Sequence, residues 1–124
     1  MDKVLLEQAI ETLSSNIPDG NCVLVSSKDG DLIAYTGYSH DVGLNRISVQ
    51  ISTVLGVATS IGAVLKLGVS DELSFSGPKG RVLVYRLTES YSLAVITTHD
   101  CNIAMINLMA SRCIGEINQQ EMLA

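Results

Sequence analysis

The chain has few aromatic residues and no tryptophan. Its 124 residues include one phenylalanine and four tyrosines, too few to build a surface on which bases or sugar rings stack. Basic residues are also scarce, because eight Lys and Arg stand against thirteen Asp and Glu and leave a formal net charge of −5. This balance argues against binding to nucleic acid and against an anionic membrane surface.

The three cysteines follow no metal or disulfide pattern. Cys22, Cys101 and Cys113 are odd in number and show no C-x-x-C spacing, so neither a disulfide framework nor a metal site is predicted. His40 and His99 do not supply zinc-ligand spacing either. We expect no cofactor and no metal.

The N-terminal residues lack the basic region, apolar segment and cleavage site of a signal peptide. No myristoylation or prenylation signal is visible. We therefore expect a cytoplasmic protein whose thiols are reduced.

Two short motifs contain residue types found in catalytic or phosphate-binding sites, but neither has the spacing that such a site needs. His99-Asp100-Cys101 contains nucleophile, base and orienting residue types, yet consecutive residues on a turn point in different directions. We expect Asp100 to cap a helix and Cys101 to be buried. Gly77-Pro78-Lys79-Gly80 lacks the Gly-Lys-Ser/Thr order of a phosphate loop and is predicted to be a hairpin turn. We expect no enzymatic activity in the chain itself.

The stretch from Leu44 to Leu67 organises the rest of the chain. It is predicted to be one long helix with no charge between Arg46 and Lys66. A bulky apolar stripe, predicted to face the chain's own sheet, comprises Ile47, Ile51, Val54, Ala58, Ile61 and Leu65. The opposite side carries small or weakly polar residues, namely Val49, Thr53, Gly56, Ser60 and Ala63. We expect such a helix to be covered twice, by its own sheet and by another protein surface.

Two other interpretations of this helix compete. An uncharged run of this length approaches the ~20 residues of a membrane span. Its Ser, Thr and Gln residues and the absence of Trp or Tyr at its ends disfavour insertion, so we expect none. The second alternative is a central helix buried within a monomer.

The remaining patterns predict an α+β fold with the order α-β-β-α-β-β-β-α. The predicted elements are helix 2–15, strands 22–27 and 32–36, helix 44–67, strands 72–76, 81–87 and 91–98, and a final helix after Asp100 or Asn102. We expect one five-stranded antiparallel sheet in one domain, residues 1–124 with a core of about 3–118. The long helix lies on one face and the terminal helices on the other.

Several boundary residues are predicted as well. Asp41 or Asn45 would cap the long helix at its start, and Gly68 would end it as a left-handed glycine. The inner stripe of the final helix is predicted to be Ile103, Ile106, Ala110, Cys113 and Ile117. Residues 119–124 are expected to fray.

The element order and its motifs resemble the roadblock family of dynein light-chain and MglB-like GTPase-regulator proteins. The matching pieces are Ile17-Pro18-Asp19-Gly20, the Ser27–Ala34 hairpin, the small-residue central helix, the Gly80–Tyr85 strand and Asp100-Cys101-Asn102-Ile103-Ala104. The resemblance covers about residues 3–118. Ala104 departs from it, because many members have glycine there.

The resemblance implies a homodimer or a heterodimer, of which we expect the homodimer, in which the strand at 72–76 pairs with its twin and the long helices lie antiparallel. It also implies a small Ras-like GTPase as partner. The charge balance and the composition of the long helix, described above, separately predict neither nucleic acid binding nor membrane insertion. The expected dimer or partner interface comprises Arg46, Val49, Gln50, Thr53, Gly56, Val57, Ser60, Ala63, Val64, Glu72, Leu73, Ser74, Phe75 and Ser76.

The sequence is also compatible with three functions other than GTPase regulation. They are a structural adaptor that tethers a motor or scaffold, a small-ligand sensor and a hydrolase using Cys101. The candidates for an arginine finger are Arg46, Arg81, Arg86 and Arg112, and nothing in the sequence singles out one.

Overall fold

Three helices and five strands follow one another in the computed structural model, which describes residues 1–18, 20–37 and 43–124. They are α1 (Lys3–Ser15), β1 (Cys22–Ser27), β2 (Leu32–Gly37), α2 (Leu44–Val64), β3 (Glu72–Gly77), β4 (Gly80–Arg86), β5 (Tyr91–Thr97) and α3 (Ile103–Gln119). The strands form one antiparallel sheet in the order β2-β1-β5-β4-β3. The predicted element order and fold class are confirmed.

Strand β1 is central and is covered on both faces. Val23 and Val25 pack toward α1 and α3, whereas Cys22 and Leu24 pack toward α2. This double burial explains why the first four residues of β1, Cys22–Val25, are continuously apolar rather than alternating. The turn into β2 contains Gly30, whose φ of +93° is a conformation that glycine adopts without strain.

Helices α1 and α3 lie on one face of the sheet and form the larger core with it. The buried side chains from the two helices are Leu6, Ala9, Ile10, Leu13, Ile106, Ala110, Cys113 and Ile117. The Cys113 thiol approaches the Ala9 carbonyl at 3.7 Å. Helix α2 covers the opposite face, as the sequence predicted.

The structure distinguishes between the predicted N-terminal caps. Of Asp100 and Asn102, the two candidates for α3, Asn102 is the cap and accepts a hydrogen bond from the backbone N–H of Met105 at 3.0 Å. Helix α2 begins after Gly43, which supplies no side-chain bond, and Asn45 lies inside the helix. Asp41, the other candidate cap of α2, lies outside the described residues, as do His40 and Asp19.

The end of α2 comes three residues earlier than predicted. Lys66, not Gly68, is the left-handed residue directly after the C-cap, with a φ of +57°. The N–H of Leu67 donates to the Gly62 carbonyl and that of Lys66 to the Ala63 carbonyl. These two bonds form a Schellman motif, which closes the helix without needing glycine at the left-handed position.

The last six residues do not fray. Met122 is 1% exposed and packs in the core with α1 and α3. Its N–H donates to the Ile117 carbonyl, its carbonyl accepts from the Asp2 N–H, and the Met1 ammonium donates to the Ala124 carbonyl. The prediction of a frayed end is wrong because burial of Met122 holds these residues in place, although the sequence has no helix stop signal.

Candidate functional site

The side of α2 that faces the sheet is displaced from the predicted stripe. Its buried residues are Leu44, Ser48, Ile51, Leu55 and Gly62. Of the predicted stripe, Ile51 is buried and Ile47 and Ala58 are half-buried, but Val54, Ile61 and Leu65 are exposed. The physical reason is that a serine and a glycine occupy inward positions, and hydrophobicity alone does not identify them.

The Ser48 hydroxyl accepts a hydrogen bond from the Ser26 hydroxyl of the sheet at 3.0 Å. Gly62 brings the helix close to the following loop, and a Cβ there would lie 2.8 Å from the Gly68 carbonyl oxygen. Because the small residues Ser48 and Gly62 occupy inward positions of α2, larger residues on the neighbouring side of the helix are exposed.

This rotation leaves an exposed row that we call the apolar strip, consisting of Gln50, Val54, Val57, Ile61 and Val64. The residues recur at spacings of four and three and share one side of the helix. Val57 is 54% exposed, Ile61 53% and Val64 80%. Val54 and Ile61 were predicted to face inward, so sequence reasoning missed them as interface residues.

An apolar groove connects the apolar strip with the edge of the sheet. It has a volume of about 280 Å³ and lies between α2 and the sheet. Val54 and Gln50 line its helix side, and Phe75, Val82 and Ile96 line its sheet side. Phe75 is 52% exposed. The exposed apolar surface thus continues from α2 onto β3.

Among the described residues, strand β3 lies at the edge of the sheet and pairs with β4 alone. Five of its six residues are exposed and Leu73 is half-buried. Leu73 and Phe75 point to the α2 face, whereas Glu72, Ser74 and Ser76 share the other face with Leu83 and Tyr85. An exposed edge of this kind offers unpaired backbone groups to another strand.

A second exposed row of α2, the small-residue strip, consists of Val49, Thr53, Gly56, Ser60 and Ala63. All five residues are exposed, and each lies one position before a member of the apolar strip. Val49 lies beside the β1–β2 turn, where a Cβ added to Gly30 would come within 3.1 Å of Val49 Cγ2. The structure therefore divides the predicted α2 interface into two adjacent rows of different character. Arg46 is also exposed, near the start of the helix.

The four arginines differ in their surroundings. Arg86 donates from Nε to the Ser70 carbonyl at 2.9 Å and from Nη2 to Thr59 Oγ1 at 3.1 Å. Arg112, like Arg46, is exposed. Arg81 is half-buried, and its Nε has no hydrogen-bond partner among the described residues.

The buried titratable groups are held neutral. Burial raises the pKa of the Cys22 thiol and, together with Glu116, that of Cys113 to about 11. A thiol with a raised pKa is a poor nucleophile at neutral pH. Within residues 1–18, 20–37 and 43–124, no group of three or more His, Cys, Asp or Glu could hold a metal ion.

Helix α2 is long and apolar enough to cross a membrane by length and composition alone. A single helix of this kind is weak evidence for a membrane span, and 22% of its most apolar window is buried inside the protein. Here Leu44, Ile51 and Leu55 pack against the sheet.

The fold matches solved structures although no family model and no curated protein matches the sequence. MglB from Myxococcus xanthus superposes with a TM-score of 0.89 at 12% identity, over 95% of this chain and 88% of that chain. A Roadblock/LC7 domain from Streptomyces avermitilis gives 0.84 at 14% identity, over 94% and 97%. MglC from Myxococcus xanthus gives 0.61 at 16%, over 97% and 99%. The chain therefore has the roadblock fold.

Proposed function

We propose that this chain is a non-enzymatic, cytoplasmic regulator that forms a homodimer and binds a small Ras-like GTPase. The observation that carries the proposal is the continuity between the apolar strip of α2 and the exposed edge strand β3. A GTPase regulator is what the resemblance to the roadblock family implies, and the fold supports it.

The dimer follows from surface that one protomer leaves uncovered. Val57, Ile61 and Val64 are more than half exposed on the apolar strip, and Phe75 extends the same surface across the groove. Contiguous apolar surface beside an unpaired strand edge is a liability in a monomer. A two-fold axis at β3 would join two sheets and bring two apolar strips together.

The small-residue strip would face outward in such a dimer, beside the apolar strip on each helix. Gly56, Ser60 and Ala63 present little side chain, so a partner could approach the helix backbone closely. Two such strips, related by the two-fold axis, would offer one GTPase contacts from both protomers. We assign this strip and Arg46 to the GTPase side and the apolar strip with Glu72–Ser76 to the dimer side.

The proposed action on the GTPase is positional. Because Arg86 is committed to Ser70 and Thr59, it is a poor candidate for a finger that enters another active site. The resemblance implies that the dimer orders the switch segments of the GTPase, so the chemistry would belong to the GTPase itself.

The test uses two neighbouring substitutions on α2. Ile61→Asp places a charge in the apolar strip and should give a monomer by analytical ultracentrifugation. Ser60→Asp, one residue away on the small-residue strip, should remain a dimer but lose binding to a Ras-like GTPase. The probes are purified Ras-like GTPases from the source organism, each loaded with GDP or a GTP analogue.

Three results would contradict parts of the proposal. A monomeric wild-type chain would contradict the dimer. A dimer that binds no GTPase in either nucleotide state would contradict the GTPase as partner. Binding without any change in nucleotide exchange or hydrolysis would replace the regulator with a structural adaptor.

A further inference from the structure

The backbone hydrogen bonds of the β3–β4 hairpin determine which groups β3 leaves unpaired. The Arg86 N–H donates to the Asp71 carbonyl at 2.8 Å, so these two residues form a hydrogen-bonded antiparallel pair. Such pairs alternate with pairs that are not hydrogen-bonded. In the observed register, Leu73 and Phe75 therefore direct their backbone groups to β4. Glu72, Ser74 and Ser76 direct theirs outward.

Only one two-fold register uses all of these outward groups. If Ser74 lies opposite Ser74 of a second copy, Glu72 lies opposite Ser76, and three pairs each exchange two hydrogen bonds. A slip of two residues in either direction leaves only two such pairs within β3. A slip of one residue would place opposed side chains on different faces of the sheet.

The same register also pairs the apolar side chains. Leu73 comes opposite Phe75 of the second copy in a pair that is not hydrogen-bonded, where strands approach most closely. Val84 and Val82 lie behind these residues on β4. An aromatic residue opposite an aliphatic one is a favourable cross-strand pair. It would lie on the α2 face, continuous with the groove beside the apolar strip.

On the other face, the register gives Arg81 an acidic neighbour. Arg81 lies directly opposite Ser76 on the neighbouring strand, and its buried Nε has no hydrogen-bond partner among the described residues. Glu72 of the second copy would lie on the far side of Ser76, about 10 Å from Arg81 in strand spacing. The long arginine and glutamate side chains span that gap together, and the small Ser76 does not block it.

We propose that β3 pairs with its copy in one register, Ser74 opposite Ser74, and that Arg81 forms an ion pair with Glu72 of the second copy. The inference rests on the proposed dimer but adds its register and its charge pair. By symmetry the ion pair occurs twice, and it favours this register over the two slipped ones.

Cysteine cross-linking tests the register. Three single variants, Ser74→Cys, Leu73→Cys and Phe75→Cys, are made in a Cys101→Ser background, which removes the half-buried thiol. Ser74→Cys should form a disulfide-linked dimer under mild oxidation, because opposed residues lie within disulfide range. The other two should not, because each lies diagonal to its own copy, about 7–8 Å away.

Charge reversal tests the ion pair by ultracentrifugation. Glu72→Arg and Arg81→Glu should each raise the dimer dissociation constant about tenfold, and the combined variant should return to within about threefold of wild type. Glu72→Gln and Arg81→Gln repeat the cycle without like charges, and thermal unfolding checks that each variant folds. Ser76→Ala is the matched control and should leave the dissociation constant nearly unchanged.

The outcomes separate the register from the dimer. Cross-linking of Leu73→Cys or Phe75→Cys instead of Ser74→Cys would overturn the register while the dimer stands. A dimer with no cross-link in any variant would overturn pairing through β3. The ion pair would be overturned if the two single effects on the free energy of dimerisation simply add in the combined variant. A wild-type monomer would remove the proposed dimer and this inference together.

Discussion

The hydroxyl of Ser26 in β1 donates a hydrogen bond to the hydroxyl of Ser48 in α2 across 3.0 Å, and both side chains are fully buried. This polar pair lies beside the apolar residues Leu44, Ile51 and Leu55, which pack α2 against the sheet. It fixes which side of α2 faces inward, because rotating the helix would move Ser48 away and leave the buried Ser26 hydroxyl without its partner.

Ser48→Ala should destabilise the protein, because it leaves the Ser26 hydroxyl buried without its partner. The expected loss is about 1–3 kcal/mol. Urea unfolding at fixed protein concentration measures it. The double variant Ser26→Ala/Ser48→Ala should recover part of the loss, since no orphaned hydroxyl remains. Ser60→Ala is the exposed control on the same helix, and an equal effect at positions 48 and 60 would contradict the prediction.

Gly62→Ala should destabilise the end of α2. The added Cβ would lie 2.8 Å from the Gly68 carbonyl oxygen, which is backbone and cannot rotate away, so we expect a loss of about 1–3 kcal/mol. Gly115→Ala in α3 is the matched control. It has nothing within 4 Å and should gain about 0.5–1 kcal/mol from helix propensity. Thermal unfolding of both variants compares them, and a stabilised Gly62→Ala would show that the loop moves freely.

Tyr85 should make the protein less stable in alkali. Burial, with smaller contributions from Glu72 and Cys101, raises the pKa of Tyr85 to about 12. Because the folded state disfavours the phenolate, the contribution of Tyr85 is complete below pH 10 and falls as the pH rises toward 12. Tyr85→Phe removes this titration along with the hydrogen bond to Asn107.

The stability difference between wild type and Tyr85→Phe should therefore shrink above pH 10. Urea unfolding from pH 8 to 12 follows it, and the raised pKa of Cys113 affects both proteins alike. A difference that stays constant over this range would show that Tyr85 keeps its ordinary pKa in the folded state.

Met122→Ala should lower the free energy of unfolding by about 2–5 kcal/mol, as is usual when a buried methionine is replaced by alanine. Met122 is 1% exposed and contacts the core of α1 and α3. Gln119→Ala, at an exposed position nearby, should change stability by less than about 0.5 kcal/mol. Thermal unfolding distinguishes the two. If Met122→Ala also unfolds like wild type, the last turn does not contribute to stability.

The architecture could be predicted from the sequence because its signals are local and redundant. Lys28-Asp29-Gly30-Asp31 between two apolar runs predicts the β1–β2 hairpin, and the alternation around Leu73 and Phe75 predicts β3. The long helix is equally evident from its length and lack of charge. Each of these elements forms at its expected place, with boundaries shifted by at most a few residues.

The details that were wrong depend on contacts distant in sequence. The inward face of α2 could not be predicted because Ser48 is buried only where Ser26 meets it, 22 residues away. Lys66 replaces glycine in the Schellman motif, which backbone hydrogen bonds define. Burial of Met122 depends on α1. Of the candidate site, composition predicted a helix covered on two sides, and the structure shows the cover by its own sheet. The division of the exposed side into an apolar and a small-residue strip could not be predicted, because it depends on which side packs against the sheet.

Met1 and Ala124 lie side by side, so a protein fused to either residue would be located at the same place. The two residues are hydrogen-bonded to each other, beside the last turn that packs against α1. A reporter fused at either end would leave from one spot on the α1–α3 side, away from α2. A short linker should also close the chain into a ring, so that circular permutants opened at the Pro78-Lys79 turn or the Glu89-Ser90 turn become feasible.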